Sequence, residues 1–358
     1  MPKIVLFSDI YLPTFPYLEM PMYNETKSRG IDIVYVLQDG DIRLTDSDLA
    51  KTFSNLNLKT IKKASQINSI INKDDLLLMR FAYKGFGGDV MAAARRAKRK
   101  ILAYDPSGID IRVRACPAQY LTAKSNSLKI ATIKKFGKKQ YNSIYVTGTI
   151  HCDAAVATKV DRDDFMRSYG LDPQKKLAIL TPANPGEAWM KGLVSDYKKI
   201  VSIVKTKCSD YEIVIKCHPM DYLAKYKMQP GIVHKNQHYN GKHSWEAIDP
   251  TLTVIKAEEG YMAFKACDVI LNIRSSIAME TAFFRKPLVN INRNKYVTNW
   301  PFDAGIMKDI TMEELEGVLN KGDYSIDDDL CTKYCIRENF SDDGKAYVRT
   351  IDVAVDIL

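Results

Sequence analysis

Short apolar runs rich in β-branched residues recur along this chain, and helix-forming stretches separate them. Such alternation is typical of parallel α/β units, in which a helix follows each strand and crosses back over the sheet. Two sets of five strands are predicted, one in each half of the chain, at residues 3–8, 32–37, 75–80, 100–105 and 143–148, and at 177–182, 211–219, 252–257, 268–273 and 287–291. The sequence therefore predicts an α/β protein with two Rossmann-like sheets.

A polar connection separates the two sets of strands. It ends in the turn-forming sequence "YGLDPQKK", so we place a domain boundary near residue 170. The predicted domains are residues 1–170 and 171–340, each Rossmann-like, and residues 341–358 form a C-terminal helix that could pack on either domain. A chain of 358 residues is long enough for two such domains.

The chain carries a net charge of +9 at pH 7, and its positive residues are dispersed along its length. This charge predicts attraction to an anion, such as nucleotide phosphates, an acidic polymer, a membrane face or nucleic acid; a solvated basic surface without a specific partner explains it equally well. Seven cysteines without a CxxC pair favour neither a disulfide framework nor a zinc ribbon. No apolar run approaches the roughly 20 residues that cross a bilayer, and the N-terminus has no signal pattern. We expect a cytoplasmic protein, with peripheral contact at an anionic membrane as a further expectation.

The segment "YEIVIKCHP" is predicted to be a strand whose side chains alternate between two faces. Lys216 and His218 share one face, and Pro219, which cannot donate to a sheet, ends the strand. Ligands of open α/β sheets bind beyond the carboxyl ends of the strands, and a cation with an imidazole suits phosphate oxygens there. Thr181, near the end of another predicted strand, is a further candidate. A histidine hydrogen-bonded to a neighbouring loop is the alternative.

The segment "DVILNIRSSIAMETAFFRKPLVNI" predicts a strand, a turn and a helix. Arg274 leaves the strand, Ser275 or Ser276 caps the helix, and the N–H groups of its first turn form an anion site. Neither residue three positions after the serines is Glu or Gln, so no capping box forms. Glu280 lies four residues after Ser276, on the same helical face, where it could accept hydrogen bonds from ribose hydroxyls. Serines that only cap a helix are the alternative.

The pair "KCHP" and "CDVILNIRSSIAMETAFFRKPLV" resembles the C-terminal half of GT-B transferases. The resemblance is to the CDP-glycerol glycerophosphotransferase type and to CMP-sugar-using Kdo transferases and sialyltransferases, and it is best over residues 175–292. It implies two Rossmann-like domains facing a central cleft, with the acceptor on the N-terminal domain. It also implies that His218, Ser275 and Ser276 contact the donor phosphate and that Glu280 serves the nucleotide.

Two departures from those families leave the donor open. Ile273 and Arg274 stand where the glycerophosphotransferases usually have Asp-Tyr, and the first strand of the C-terminal half leads into "TPANPGEAWMKG" rather than to a basic residue. The donor alternatives are CDP-alditol, a CMP-sugar and a UDP- or GDP-sugar.

The expected chemistry is metal-independent transfer of a glycosyl or alditol-phosphate group to a glycan or polymer acceptor, with no cofactor besides the donor. The Asp-x-Asp spacings lie in polar linkers and are interpreted as solvated turns. An inverting reaction needs a base from the N-terminal domain. Asp9, at the end of the first predicted strand, is the first choice although it could equally form a turn; Glu19, Asp105 and His151 are held in reserve.

Three other functions compete with this prediction. A sugar-nucleotide 2-epimerase shares the fold, but its catalytic acids and glycine-rich donor loop are not evident. A nucleic-acid-binding or -modifying protein is suggested by the charge and the aromatic residues, yet no recognised nucleic-acid module is present, so nucleic acid is not the expected partner. A non-catalytic binding module is the fourth reading.

Overall fold

A computed structural model describes residues 2–8, 16–41, 51, 53–82, 85–104, 115–137, 140–183, 192–216, 249–256, 259–273, 275–291 and 305–358. The chain divides into two compact units. The N-terminal unit contains residues 1–156 and 335–358, and the C-terminal unit contains residues 157–334.

Strands in the described residues fall into one sheet per unit. The N-terminal unit contains β1 (Ile4–Ser8), β2 (Ile33–Gln38), β3 (Leu58–Ile61), β4 (Leu76–Arg80), β5 (Lys100–Tyr104), β6 (Tyr120–Ala123) and β7 (Ser143–Val146). The C-terminal unit contains β8 (Lys176–Thr181), β9 (Tyr211–Ile215), β10 (Thr253–Val254), β11 (Val269–Asn272), β12 (Leu288–Ile291) and β13 (Met307–Ile310).

Helices connect most of these strands. The first unit has α1 (Pro16–Ser28), α2 (Ile67–Ile70), α3 (Gly85–Arg96), α4 (Asn126–Phe136) and α5 (Ile150–Ala157). The second unit and the C-terminal segment have α6 (Arg162–Ser168), α7 (Leu193–Lys207), α8 (Gly260–Ala266), α9 (Thr281–Phe284), α10 (Leu315–Lys321), α11 (Asp328–Asn339) and α12 (Ala346–Ile357).

Both sheets are parallel and have the doubly wound strand order. The first runs β3-β2-β1-β4-β5-β6-β7 and the second β10-β9-β8-β11-β12-β13. Every residue of β1 and of β11 is buried, because these central strands have packed layers on both faces. The prediction of two Rossmann-like α/β sheets is confirmed.

Three strands escaped the sequence prediction. β3 and β13 are edge strands of four residues with partly exposed side chains, and β6 lies one strand in from an edge. The half-exposed strands β3 and β13 mix polar and apolar residues, so they lack the continuous apolar run that identifies a buried strand. β6 is mostly buried, but it is only four residues long and includes Thr122. The strand predicted at 211–219 ends at Ile215.

The C-terminal unit begins earlier in the chain than the predicted boundary at residue 170, because it already includes the connection after α5. Helix α6 precedes that boundary, yet its Arg162 contacts Asp268 at 2.9 Å, immediately before β11. Tyr169 also donates to Glu259 at 2.6 Å. These contacts fix the connection on the second sheet and place the division after Val156.

The C-terminal helix α12 packs on the N-terminal unit. Its Ile351 and Ala354 are fully buried in the core that covers one face of the first sheet. The Asp153 carboxylate accepts hydrogen bonds from the N–H groups of Ala346 and Tyr347, at 2.9 and 2.7 Å. Of the two packing partners that the sequence allows for this helix, the structure has the N-terminal one.

Among the described residues, no helix combines the length and apolar character needed to cross a membrane.

Candidate functional site

Polar residues stand side by side at the carboxyl ends of the second sheet. Thr181 pairs in register with Asn272, Asn272 with Asn290, and Asn290 with Asp309. Lys216 follows Ile215, which pairs with Leu180, so it stands beside Thr181. We call these five residues, Lys216, Thr181, Asn272, Asn290 and Asp309, the polar row. Residues in register on parallel strands share a face, so the row lies on one face of the sheet.

Hydrogen bonds run along the polar row. The Thr181 hydroxyl donates to Asn272 Oδ1 at 3.0 Å, Asn272 Nδ2 donates to Asn290 Oδ1 at 3.2 Å, and Asn290 Nδ2 donates to Asp309 Oδ1 at 2.8 Å. Thr181, Asn272 and Asn290 are all buried. Because the Asn290 amide must donate to the Asp309 carboxylate, its oxygen faces Asn272, which fixes the orientation of the Asn272 amide in turn.

The orientation of Asn272 determines the turn that follows β11. Its oxygen accepts the backbone N–H of Ser275 at 3.1 Å. Ser275 is buried, and its side chain makes no capping hydrogen bond to the turn that it precedes. The expected cap is therefore absent, and the Ser275 hydroxyl is not used to satisfy the turn.

The segment after Ser275 differs from the predicted helix. Residues Ser276–Met279 form a 3₁₀ turn, and α9 follows at Thr281–Phe284. Glu280 stands between the two, so the expected α-helical spacing from Ser276 to Glu280 is wrong. A 3₁₀ turn has three residues per turn, which shifts Glu280 around the axis relative to an α-helix. For Ser276 the structure describes the backbone alone.

Glu280 lies with Lys216 and Tyr261. Burial raises the pKa of the Glu280 carboxyl to about 7, while the Lys216 charge and a hydrogen bond with Tyr261 each lower it. Lys216 comes from the end of β9, Tyr261 from the first turn of α8, and Glu280 from the start of α9. Three elements thus bring a cation, a hydroxyl and a titrating carboxyl to one place.

Gly260 makes room for the Lys216 side chain. A Cβ placed on Gly260 would lie 2.6 Å from Lys216 Cε, far inside van der Waals contact. The lysine stem therefore lies directly against the first residue of α8. Any larger side chain at position 260 would displace the ammonium group.

Several predicted site residues lie outside the described residues. They are Asp9, Asp105, His218 and Arg274. Of the predicted donor residues that are described, Thr181 and Lys216 belong to the polar row, Ser275 is hydrogen-bonded to it, and Glu280 is electrostatically coupled to Lys216.

Glu19, one of the reserve bases, is a buried anchor in the N-terminal unit. It is 0% exposed, and its carboxylate accepts hydrogen bonds from the hydroxyls of Tyr35 and Tyr104, the latter at 2.8 Å. This arrangement attaches α1 to β2 and β5. A carboxylate so enclosed is poorly placed to meet an acceptor hydroxyl.

His151, the other described reserve, is a partly buried residue in the first turn of α5. Burial, together with the charge of Arg80 at the end of β4, lowers its pKa to about 3. The imidazole is therefore neutral near pH 7, the form in which a histidine can accept a proton. Its neighbour Arg80 stands in register with Tyr104 at the carboxyl end of the first sheet.

Sequence reasoning missed Asn272, Asn290, Asp309, Gly260 and Tyr261. The first three had a signal, because three apolar runs, "VILN", "LVN" and "MKD", each carry a polar residue near their carboxyl ends. Gly260 and Tyr261 had none, since their contacts are with residues distant in sequence.

No protein-family model matches the chain, and no curated protein matches it either. Solved structures do match over essentially the whole chain. The S. aureus MnaA-UDP co-structure has 16% identity and a TM-score of 0.64, covering 100% of this chain and 98% of that one. UDP-GlcNAc 2-epimerase from Neisseria meningitidis bound to UDP-GlcNAc has 13% identity and a TM-score of 0.66, covering 99% and 100%. The wall teichoic acid polymerase TagF has 12% identity and a TM-score of 0.62, covering 100% and 90%.

At these identities the likeness establishes the fold. The chain has a GT-B fold, because it contains two doubly wound units and resembles these GT-B proteins over its whole length. The names of these neighbours refer to UDP, to UDP-GlcNAc and to wall teichoic acid, so they describe more than one activity. The function of this chain therefore depends on the residues of its own site.

Proposed function

We propose that the protein is a metal-independent GT-B transferase that moves a glycosyl or alditol-phosphate group from a nucleotide-activated donor to a glycan or polymer acceptor. The observation that carries the proposal is the grouping of Lys216, Tyr261 and Glu280 beside the Ser275 turn at the carboxyl edge of the second sheet. A core needs no titrating carboxyl beside a lysine, whereas a nucleotide diphosphate and its ribose need a cation and a hydrogen-bonding carboxyl.

In this proposal the donor nucleotide binds the C-terminal unit. Lys216 and the Ser275 hydroxyl hold the phosphates, with His218, Ser276 and Arg274 assigned to the same ligand from the sequence. Glu280 and Tyr261 hydrogen-bond the ribose. Bond cleavage leaves negative charge on the departing phosphate, and a fixed ammonium group stabilises that charge in the transition state more than in the ground state.

The acceptor is assigned to the N-terminal unit. Asp9 remains the proposed base, because in the sequence it comes directly after Ser8, the last residue of β1. His151 replaces Glu19 as the first reserve, since it is neutral at physiological pH while Glu19 is enclosed by two tyrosines. Either base would take the acceptor hydroxyl proton as the new bond to the donor carbon or phosphorus forms.

Nucleotide binding by the Lys216→Met and Gly260→Ala variants tests the site. Lys216→Met should weaken binding of the preferred nucleotide about 10- to 100-fold, the loss expected for one charge-assisted contact. Gly260→Ala should weaken it in the same direction without unfolding the protein, because the atom that a new Cβ meets is the movable end of the lysine. A thermal-shift panel of CMP, CDP, UDP and GDP first selects the nucleotide.

Lys198→Met is the matched control, because Lys198 is an exposed lysine on α7 of the same unit. It should leave binding unchanged. Equal affinities for the wild type, Lys216→Met and Gly260→Ala would refute the site assignment. Turnover that survives chelation supports the metal-independent part of the proposal, and loss of turnover on chelation would overturn that part alone.

A sugar-nucleotide 2-epimerase is the second candidate, and the 2-epimerases among the structural neighbours favour it. The two reactions differ in their need for an acceptor. An epimerase converts UDP-GlcNAc to its 2-epimer without any second substrate and exchanges the C2 proton with deuterated water. A transferase releases nucleotide only when an acceptor, or water as a slow substitute, receives the group.

A further inference from the structure

The net positive charge of the chain is concentrated in one stretch. Residues 111–152 contain eight Lys and Arg residues and no Asp or Glu, so this stretch carries a formal charge of +8 against +9 for the whole chain. The positive residues themselves are dispersed along the chain, and the net charge is concentrated here because this stretch has no acidic residue to balance them. Four of these residues, Lys124, Lys129, Lys134 and Lys135, lie in or just before α4.

Helix α4 has a buried face and an exposed face. Leu128 and Thr132 are buried, and the helix packs on β6 and β7 at the end of the first sheet. Ile130 and Lys134, four residues apart, adjoin each other on the opposite face. Ile130 is 65% exposed, the largest value among the exposed large apolar side chains of the described residues.

Helix stability explains only part of this composition. Lys134 and Lys135 occupy the last turn, where cations interact favourably with the helix dipole. The dipole gives no reason for an isoleucine in water one turn before Lys134, or for the absence of any carboxylate along the stretch. An exposed apolar side chain beside lysines can combine contact with acyl chains and attraction to anionic headgroups in one small patch.

We propose that the exposed face of α4, formed by Ile130, Lys134 and Lys135, docks on an anionic lipid surface. The lysines pair with headgroup phosphates, and Ile130 enters the boundary between headgroups and acyl chains. A phosphate-rich polymer or nucleic acid would pair with the same lysines but would leave Ile130 in water, so the isoleucine favours lipid. The surface lies on the N-terminal unit and does not depend on the proposed donor site.

Co-sedimentation with phosphatidylglycerol-rich vesicles tests the proposal, with phosphatidylcholine vesicles for comparison. A lysine near an anionic surface contributes about fivefold to partitioning, so the double variant Lys134→Gln/Lys135→Gln should bind roughly 30-fold more weakly at low salt. Ile130→Ser should bind roughly fivefold to tenfold more weakly, because the inserted side chain is lost. Neither variant should change nucleotide binding, which separates this test from that of the donor site.

Two variants provide matched controls on other exposed helices. Lys198→Gln/Lys199→Gln removes the same charge from α7, and Ile336→Ser removes a side chain that is 54% exposed on α11. Both should bind vesicles nearly as the wild type does. A loss as large as that of the α4 variants would overturn the proposal, as would absence of wild-type binding to anionic vesicles. Tight binding to heparin or duplex DNA that is insensitive to Ile130→Ser, without vesicle binding, would assign the surface to a polyanion instead.

Discussion

The carboxyl group of Glu280 lies in surroundings that disfavour its ionised form. Burial raises its pKa to about 7, more than Lys216 and Tyr261 lower it. Because the folded pKa exceeds the unfolded value, the contribution of Glu280 to stability is fully present below the unfolded pKa and is lost as the pH rises through about 7. At pH 8 the residue therefore lowers the stability of the fold, which is typical of a group retained for ligand binding.

Replacement of Glu280 by Gln should separate stability from function. Glutamine has the same shape and no charge, so Glu280→Gln should raise the free energy of unfolding by about 2 kcal/mol at pH 8 and change it little at pH 4. Nucleotide binding should weaken in the same variant. Urea unfolding at both pH values measures the first effect, and titration with the preferred nucleotide measures the second.

Glu313→Gln is the control for this prediction, because Glu313 is exposed in the same unit. It should change stability by less than about 0.5 kcal/mol at either pH. A Glu280→Gln variant that is destabilised at pH 8, or that differs from the wild type equally at both pH values, would contradict the pKa of the folded state.

Residues near the carboxyl ends of four strands together determine the geometry of the candidate site. The polar row links β8, β11, β12 and β13 through one chain of side-chain hydrogen bonds. Asp309 is exposed, but through Asn290 it orients the buried Asn272 and hence the Ser275 turn. A residue two strands away can therefore act on the turn without touching a ligand.

Asn290→Ala should interrupt this chain of hydrogen bonds. The Asn272 amide loses its acceptor in a buried place, so the variant should be destabilised by about 1–3 kcal/mol. Nucleotide binding should also weaken, because Asn272 no longer has a fixed orientation from which to hold the Ser275 N–H. Asp309→Asn keeps an oxygen that accepts from Asn290 and should retain most of both properties. Unchanged nucleotide affinity in Asn290→Ala would show that the row is structural alone.

The central strands could be predicted from the sequence, and the site only in part. β1, β4, β8 and β11 are buried on both faces, so each is a continuous apolar run. The polar residues that end such runs identified Lys216 and Thr181. Glu280 was found through an assumed α-helix that is a 3₁₀ turn, so the residue was selected by a spacing that the fold does not have. Its contact with Tyr261 depends on packing between helices, which local sequence does not encode.

At the scale of the whole molecule, the chain returns to its first unit at its end. Residues 335–358 belong to the N-terminal unit, and Asp153 accepts two backbone N–H groups at the start of α12. Asn339 adds a further contact between the C-terminal segment and the rest of this unit, since its Oδ1 accepts the N–H of Thr149 at 2.7 Å. Each unit therefore has stabilising contacts of its own, and a substitution can remove those of one unit while those of the other stay intact.

Asp153→Ala should destabilise the N-terminal unit and leave the C-terminal unit unchanged. The buried N–H of Ala346 and the partly buried N–H of Tyr347 lose their acceptor, at a cost of about 2–3 kcal/mol. Native-state hydrogen exchange should then show reduced amide protection in β4 and β5, against which α12 packs. Asp161→Ala is the matched control, because Asp161 caps α6 in the C-terminal unit by accepting the N–H of Asp164 at 2.9 Å. It should reduce protection in α6 alone. Equal loss of protection in both sheets for Asp153→Ala would mean that the two units unfold together, which would contradict their independent stability.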